Sequence, residues 1–290
     1  MPKSKFKKIG LITKRNIVEH KALLDKLVKY LKSKKVEIVF DENSARIYKK
    51  EGLNKTKLLK KTDLNIVLGG DGTLLKTARR LARGKTFVLS VNLGTVGFLT
   101  ECNAHNLFET LDLVFKGKYE LDARSVLRVT VYSDGKKRET FLALNDAVIN
   151  QGAFARLIKM DLKIGDKEVV TFKADGMIVA TPTGSTAHSL SAGGPIIHPK
   201  IQGLVITPVC PNSLTMRPII IPDTRELTVT IDTERREETA IIGLTLDGQD
   251  MSILRYGDQI KFRRSKRNLY LLRTGNRYYQ MLQTKLKWGG

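Results

Sequence analysis

The residues with the clearest chemical potential form the string Gly-Gly-Asp-Gly-Thr at positions 69–73, directly after the apolar run 64–68. Glycines leave no side chain between main-chain N–H groups and a ligand, and N–H groups at a turn or a helix start attract phosphate. Asp71 adds a carboxylate, which can accept the proton of a hydroxyl group, bind a metal ion or accept a hydrogen bond from a ribose hydroxyl. Phosphate chemistry on a hydroxyl is therefore our first hypothesis, and an ordinary strand-to-helix turn is the alternative. The phosphate loop of this hypothesis comprises Gly69, Gly70, Gly72 and Thr73.

A second segment rich in small residues extends from Asp175 to Pro195. A strand-like run leads into Thr-Pro-Thr-Gly-Ser-Thr, and Gly-Gly-Pro closes the segment. Its hydroxyls and glycines, together with a helix start, suit hydrogen bonds to ribose and phosphate. A structural Ser/Thr turn would produce part of the same pattern.

A third element is the pair Asn145-Asp146, where an amide and a carboxylate interrupt an apolar strand. Burying both groups without partners would cost a few kcal/mol. The pair therefore either forms a turn at the edge of a sheet or faces a cleft and binds a sugar or a base. Further polar residues flank the same strands and are candidates to line that cleft: Arg156, Lys173, Asp175, Asp247 and Gln249.

The first part of the chain alternates strand and helix patterns. The periodicity predicts strands at 8–13, 36–40, 64–68 and 86–91, and helices at 73–83 and 103–115. Such alternation implies a parallel, Rossmann-like sheet covered on both faces, in which ligands bind beyond the carboxyl ends of the strands. The glycine string lies at one of these ends.

Near Tyr119 the pattern changes to short runs of alternating apolar and polar residues that are separated by turns. The predicted strands are 125–132, 139–150, 157–164, 168–173, 176–180, 204–207, 226–231 and 240–246. We expect an α/β N-terminal domain over 1–120 and an antiparallel all-β C-terminal domain over 121–267. The tail, 268–290, reads as a strand and a helix that return to complete the first domain.

The composition is that of a basic globular chain, with a formal net charge of +22 over 290 residues. The basic residues are scattered, and the aromatic residues are not interleaved with them as a stacking platform for nucleic acid requires. We therefore interpret most of the charge as a solvated surface and expect no specific nucleic acid partner. No apolar run reaches the roughly 20 residues of a membrane span. The run 9–12 is too short for a signal peptide, so we expect a cytoplasmic protein without a membrane partner.

The three elements together resemble the NAD kinase family, in the same order and over nearly the whole chain. Further motifs carry the resemblance, namely those at 91–99, 175–176, 206–208 and 279–288. The resemblance implies phosphorylation of the 2′-hydroxyl of the adenosine ribose of NAD, with ATP as the usual donor, to give NADP and ADP. It also implies a Mg²⁺ ion that is held chiefly by the ATP phosphates, and a homodimer or homotetramer. The choice of phosphoryl donor between ATP and polyphosphate stays open.

The resemblance makes Asp71 the catalytic carboxylate, in contact with NAD. His188 stands where many members have tyrosine, and Asp146 replaces a glutamate that is common in the Asn145-Asp146 pair. The other residues that match NAD contacts are Gly72, Lys76, Asn145, Asp146, Arg156, Lys173, Asp175, Thr186, Ala187, His188, Ser189, Leu190, Ser191 and Gln249.

Three other functions compete with this interpretation. A lipid kinase of the diacylglycerol or sphingosine type shares Gly-Gly-Asp-Gly-Thr, but an Asn-Glu pair usually follows its glycines closely, whereas Leu-Leu-Lys follows here. A sugar kinase of the phosphofructokinase type shares the turn but should be α/β throughout. A nucleic acid binder accounts for the charge but for none of the glycine motifs.

Overall fold

A computed structural model describes residues 6–94, 97–151, 157–232, 242–275 and 278–289. The chain divides into two compact units, of which the first comprises Met1–Ala123 with Arg267–Gly290 and the second comprises Arg124–Lys266. The first unit is an α/β structure and the second is antiparallel β, so the predicted fold class is confirmed. No helix within the described ranges is long and apolar enough to span a bilayer.

The described residues form 18 β-strands and seven α-helices. The strands are β1 Lys8–Thr13, β2 Glu37–Phe40, β3 Leu64–Leu68, β4 Lys85–Asn92, β5 Cys102–Asn103, β6 Glu120–Arg124, β7 Leu127–Ser133, β8 Lys136–Ala143, β9 Asp146–Gln151, β10 Ile158–Ile164, β11 Lys167–Ala180, β12 Gly203–Pro211, β13 Ile219–Pro222, β14 Leu227–Asp232, β15 Ile242–Leu246, β16 Asp250–Leu254, β17 Gln259–Arg264 and β18 Asn268–Arg273. The α-helices are α1 Lys21–Ser33, α2 Glu42–Ile47, α3 Lys55–Lys61, α4 Asp71–Ala78, α5 Leu107–Phe115, α6 His188–Ser191 and α7 Tyr278–Leu286.

The sheet of the first unit has the order β2-β1-β3-β4-β18-β6, and β5 pairs with β4. The pairs β1–β2, β1–β3, β3–β4 and β4–β18 are parallel. Because β18 pairs with β4, the C-terminal segment belongs to the first unit, as the sequence predicts. All residues of β3 are buried, which explains why this central strand has a continuous apolar pattern.

The strand order reverses between β1 and β3, and ligands of such sheets bind where the order reverses, beyond the carboxyl ends. Here the Lys14 N–H donates to the Leu68 carbonyl at 2.9 Å, and the Gly69 N–H donates to the Val91 carbonyl at 2.9 Å. The glycine string therefore begins between the ends of β1 and β4. This is the edge of the sheet at which the sequence predicts a ligand.

Two helices of the first unit differ from their predicted bounds. Helix α4 begins at Asp71, because Gly70 is extended at its N-cap, and it ends at Ala78 rather than near residue 83. Helix α5 begins at Leu107 rather than at Asn103. The Asn103 side chain instead accepts the N–H groups of His105 and Asn106, which makes a turn before the helix.

The sheet of the second unit has the order β16-β15-β9-β11-β10-β14-β17-β7-β8, and β12 pairs with β11 and β13. Side chains alternate between its two faces, so that every second residue of β14 is buried: Leu227, Val229 and Ile231. Two predicted strands, 168–173 and 176–180, are one continuous strand, β11. Conversely, the predicted strand 139–150 is two strands, β8 and β9, separated by Leu144 and Asn145.

Candidate functional site

Asp71 is the first residue of α4 and is partly buried. Its Oδ2 atom accepts the Phe98 N–H at 2.9 Å, and its Oδ1 atom accepts the Leu99 N–H at 3.2 Å. The start of a helix also carries a partial positive charge that favours a carboxylate. The side chain is therefore fixed at both oxygens by main-chain groups that follow β4.

The surroundings of Asp71 change its affinity for a proton. Burial raises the pKa of the Asp71 carboxyl above its ordinary value, whereas the N–H groups of Leu99 and Phe98 and the charges of Arg273 and Lys285 act in the opposite direction. The net effect is a raised pKa, so this carboxylate accepts a proton more readily than an exposed aspartate does.

Gly97 allows the loop after β4 to come this close to Asp71. A Cβ atom built on Gly97 would lie within 3.0 Å of the Asp71 carboxylate, nearer than a real Cβ approaches another atom. Gly97 lies in the matching motif 91–99, but its residue type and spacing alone do not predict this role. Its role follows from this contact, which joins residues 26 positions apart and has no local sequence signal.

Arg273, at the end of β18, fixes the same loop from its other side. Its guanidinium donates to Asp122 Oδ2 at 3.0 Å and to Glu101 Oε2 at 3.3 Å, and Nη1 also contacts the Leu99 carbonyl at 3.4 Å. Glu101 in turn accepts the Thr274 N–H at 2.7 Å. Arg273 thus both holds the loop that binds Asp71 and supplies positive charge near it. No sequence motif predicts this role, because the contacts of Arg273 join residues more than 150 positions apart.

The glycines of the phosphate loop have different surroundings. A Cβ on Gly69 would lie within 3.0 Å of the Thr73 side chain, so Gly69 is required by packing. A Cβ on Gly70 would meet no atom within 4 Å, and both Gly70 and Gly72 are exposed. Lys76, on the same helix, is also exposed. The start of α4 therefore presents a bare main-chain surface beside the Asp71 carboxylate.

In the second unit, three strands end or begin at one edge of the sheet. Asp146, which opens β9, pairs with Ala180 at the end of β11. Ala147 pairs with Leu246 at the end of β15. This register brings the Asn145-Asp146 turn together with the segment after β11 and with the hairpin after β15.

The turn at Asn145 is held by main-chain bonds on both sides. The Asp247 carboxylate accepts the N–H groups of Leu144, Asn145 and Asp146 at 3.0, 2.8 and 3.2 Å. On the opposite side, the Asn145 carbonyl accepts the Thr181 N–H at 2.8 Å. Asn145 is partly exposed, whereas Asp146 is only 3% exposed.

The carboxylates of Asp146 and Asp247 lie close enough for the charge of Asp247 to affect the ionisation of Asp146. Burial and the neighbouring Asp247 charge raise the pKa of Asp146 from 3.8 to about 7, and a hydrogen bond from the His188 N–H opposes the shift. The charged and neutral forms of Asp146 are thus both populated near neutral pH.

The hydroxyls of the segment after β11 fall into two groups. Those of Thr181, Ser185 and Ser189 are buried and bond within the protein. Thr181 donates to the Leu144 carbonyl at 2.6 Å, Ser185 to Pro182 at 2.7 Å, and the Ser189 and Thr207 hydroxyls lie 2.9 Å apart. The predicted contact residues that solvent reaches in this segment are Thr186, Ala187, His188, Leu190 and Ser191.

Two of the remaining predicted contacts, Asp175 and Lys173, lie away from this edge of the sheet, whereas Gln249 lies in the hairpin after β15. Asp175 and Lys173 precede the end of β11 by five and seven residues, which is about 17 and 24 Å along a strand. Asp175 accepts a hydrogen bond from the Gln151 side chain at 3.0 Å. The Gln249 N–H donates to the Leu246 carbonyl in the hairpin after β15 at 3.0 Å. Arg156 lies outside the described residues.

Both parts of the sequence match models of one family. Residues 9–119 match the ATP-NAD kinase N-terminal domain, and residues 144–274 match the ATP-NAD kinase C-terminal domain. The NAD kinase of Geotalea daltonii is 39% identical over 286 residues, which cover 98% of this chain and 99% of that protein. The NAD kinase of Koribacter versatilis is 40% identical over 287 residues, with coverage of 98% and 99%.

Solved structures share the fold. Yeast NADH kinase complexed with NADH gives a TM-score of 0.89 at 23% identity, covering 98% of this chain and 88% of that one. An NAD kinase from Archaeoglobus fulgidus in complex with ATP gives a TM-score of 0.72 at 23% identity, covering 98% and 100%.

We expect Asp146→Asn to raise the melting temperature more at about pH 8 than at about pH 5. The pKa of Asp146 is about 7 in the folded chain, against an ordinary value of 3.8. Between these two values the folded chain holds a proton that the unfolded chain has released. The free energy of unfolding therefore falls as the pH rises from about 4 to about 7, and the cost of the buried charge persists above that window. Asparagine carries no charge and keeps an oxygen for the His188 N–H.

Calorimetric melting temperatures of the variant and the wild type in the same buffers provide the measurement. The wild type is the control for general effects of pH, because all other titrating groups are shared. An equal difference in melting temperature at both pH values would show that Asp146 does not titrate as described.

Proposed function

The chain belongs to the ATP-NAD kinase family, and from this premise we propose that it transfers the γ-phosphoryl group of ATP to the 2′-hydroxyl of the adenosine ribose of NAD. The products are NADP and ADP. The observation that carries this proposal is the Asp71 carboxylate, which is held at both oxygens, has a raised pKa and lies beside exposed glycines.

Asp71 is the proposed general base. The ribose 2′-oxygen forms a bond to the γ-phosphorus, the bond from that phosphorus to the β,γ-bridging oxygen breaks, and the hydroxyl proton passes to Asp71. Each Asp71 oxygen accepts one main-chain N–H, so a lone pair remains on each for this proton. A positioned base of this kind contributes about 10²–10⁴ in rate.

Alignment and charge neutralisation account for most of the remaining rate enhancement in phosphoryl transfer. The start of α4, where Gly70 and Gly72 leave the main chain exposed, suits the negative charge that moves to the leaving ADP. Arg273 and Lys285 contribute positive charge near Asp71, and exposed Lys76 suits a phosphate contact.

In the second unit we propose that Asn145 and Asp146 bind NAD together with the accessible residues of the adjacent segment. Asn145 offers an amide to solvent, and Asp146 offers a carboxyl that either donates or accepts near neutral pH. The main chain of Ser189 remains a proposed contact, since its hydroxyl is buried. The proposed contacts that complete the set are Gly72, Arg156, Lys173, Asp175, Thr186, Ala187, His188, Leu190, Ser191 and Gln249.

Mg²⁺ is the proposed metal, and it neutralises phosphate charge when it is bound with ATP. Mg²⁺ usually takes one or two carboxylates, substrate phosphates and waters rather than an all-protein cage. Within the described ranges no group of three His, Cys, Asp or Glu side chains is placed to hold a metal, and Asp71 offers one carboxylate. These residues fit an ion that enters with ATP. The proposed assembly is a homodimer or homotetramer, and polyphosphate is an additional donor to test.

We expect Asp71→Asn to fold normally and to lower kcat at least about a hundredfold, because an amide cannot take the hydroxyl proton. The assay contains purified protein, NAD, ATP and Mg²⁺, and an NADP-specific dehydrogenase reads the product. The matched control is Asp63→Asn, since Asp63 also accepts two main-chain N–H groups, from Lys7 and Lys8, at the opposite end of β3. Near-native turnover of the Asp71 variant would remove the base assignment.

We expect Gly97→Ala to lower kcat at least about tenfold, because the added methyl group displaces the Asp71 carboxylate. Gly94→Ala is the control in the same loop, since its Cβ would lie 3.9 Å from the nearest atom, Asn92 Oδ1. The same coupled assay measures both variants. Equal turnover of the two would mean that the contact between Gly97 and Asp71 does not position the base.

A further inference from the structure

We propose that Asp247 is a positioning residue for NAD: its carboxylate holds the Asn145-Asp146 turn in the conformation that contacts the dinucleotide. The proposal rests on the proposed function, and it adds a residue that touches the turn rather than the substrate. Asp247 is 7% exposed, so it acts from beneath the turn.

Three main-chain donors converge on the Asp247 side chain. Oδ1 accepts the N–H groups of Asn145 and Asp146, and Oδ2 accepts that of Leu144. Three successive N–H groups that point to one place form an anion-binding concavity of the kind that otherwise binds phosphate. Here the protein's own carboxylate fills it, so the shape of the turn depends on that carboxylate.

The hairpin that contains Asp247 does not itself require an aspartate. Asp247 and Gly248, with φ angles of 50° and 62°, are the central residues of the turn from Leu246 to Gln249 that follows β15. Asn-Gly and Gly-Gly serve equally well at these two positions. Asparagine has one acceptor oxygen and would place an NH₂ donor against a main-chain N–H. The negative charge is therefore needed by the neighbouring turn and not by the hairpin.

The Asp247 carboxylate also has an unfavourable interaction with a neighbouring carboxylate, that of Asp146. The Asp247 charge helps to raise the pKa of Asp146, so the two carboxyls repel each other when both are ionised. The main chain nevertheless links them a second time, because the Asp247 N–H donates to the Asp146 carbonyl at 3.0 Å. The repulsion between these two carboxyls does not favour stability. The requirement to hold Asn145 and Asp146 in one orientation explains why both carboxyls are present.

The main chain of the turn is consequently fixed on both sides. Asp247 binds the N–H groups, and Thr181 binds the carbonyls of Leu144 and Asn145. The Asn145 side chain, partly exposed, then projects from a rigid support. Pre-organisation of this kind reduces the ordering that a ligand must impose when it binds.

Asp247→Asn tests the proposal, because asparagine accepts a positive φ without added strain. We expect KM for NAD to rise at least about tenfold, with KM for ATP and kcat changed less than about threefold. Isothermal titration of NAD without ATP should show the same loss of affinity. A role in stability alone would lower the melting temperature and leave KM for NAD unchanged.

Asp258→Asn is the matched control. Asp258 is 1% exposed and accepts three groups, from Ser133, Arg138 and Arg255, at the other end of β16. We expect this variant to lose stability as Asp247→Asn does while its KM for NAD stays that of the wild type. If Asp247→Asn does not fold, Asp247→Gly replaces it, since glycine keeps the positive φ and lets water reach the three N–H groups.

The outcomes separate the two proposals. A wild type that forms no NADP would refute the proposed function. An active wild type whose Asp247 variants bind NAD normally would refute the positioning role and leave the proposed function intact. A rise in KM for NAD that Asp258→Asn shares would also refute it, because general destabilisation would then suffice.

Discussion

The proposed chemistry of the first unit depends on one interaction, the binding of the Asp71 carboxylate by two main-chain N–H groups of the loop after β4. Parallel pairing of β3 and β4 brings the two loops to the same edge of the sheet. Gly97 has no side chain that would keep the two loops apart, and Arg273 anchors the loop after β4 to β18. The same bonds that orient the Asp71 carboxylate also limit the rise in its pKa that burial causes, so its geometry and proton affinity are set together.

The second unit contains the same kind of interaction, in which a different carboxylate binds main-chain N–H groups. Asp247 binds three main-chain N–H groups of the turn that carries Asn145 and Asp146. An ionised carboxylate suits both places because it only accepts hydrogen bonds, whereas a neutral amide would present donors to donors. In each unit the carboxylate is at least partly buried, which strengthens its hydrogen bonds and ties its charge to the conformation of a single turn.

The sequence predicted the features that depend on local chemistry. The glycine string, the alternation of strands and helices and the β-rich second part follow from composition and periodicity, and the fold class is confirmed. The features that it did not predict join distant residues. Phe98 lies 27 residues from Asp71, and Asp247 lies about a hundred residues from the turn that it holds. The predicted strand 139–150 is interrupted at Leu144 and Asn145, because their N–H groups donate to the Asp247 carboxylate and not to a neighbouring strand.

The segment after β11 shows why a motif alone does not identify ligand contacts. Its hydroxyls look equivalent in the sequence, yet Thr181 and Ser185 bind main-chain carbonyls inside the protein. A Cβ on Gly184 would lie within 3.0 Å of the Asn145 main chain, so the glycine there serves packing between the two segments. A ligand can use only what this internal bonding leaves accessible, which includes His188 and Ser191. The small residues therefore bring the segment against the Asn145-Asp146 turn, and the proposed contacts with NAD fall to the groups that remain on its surface.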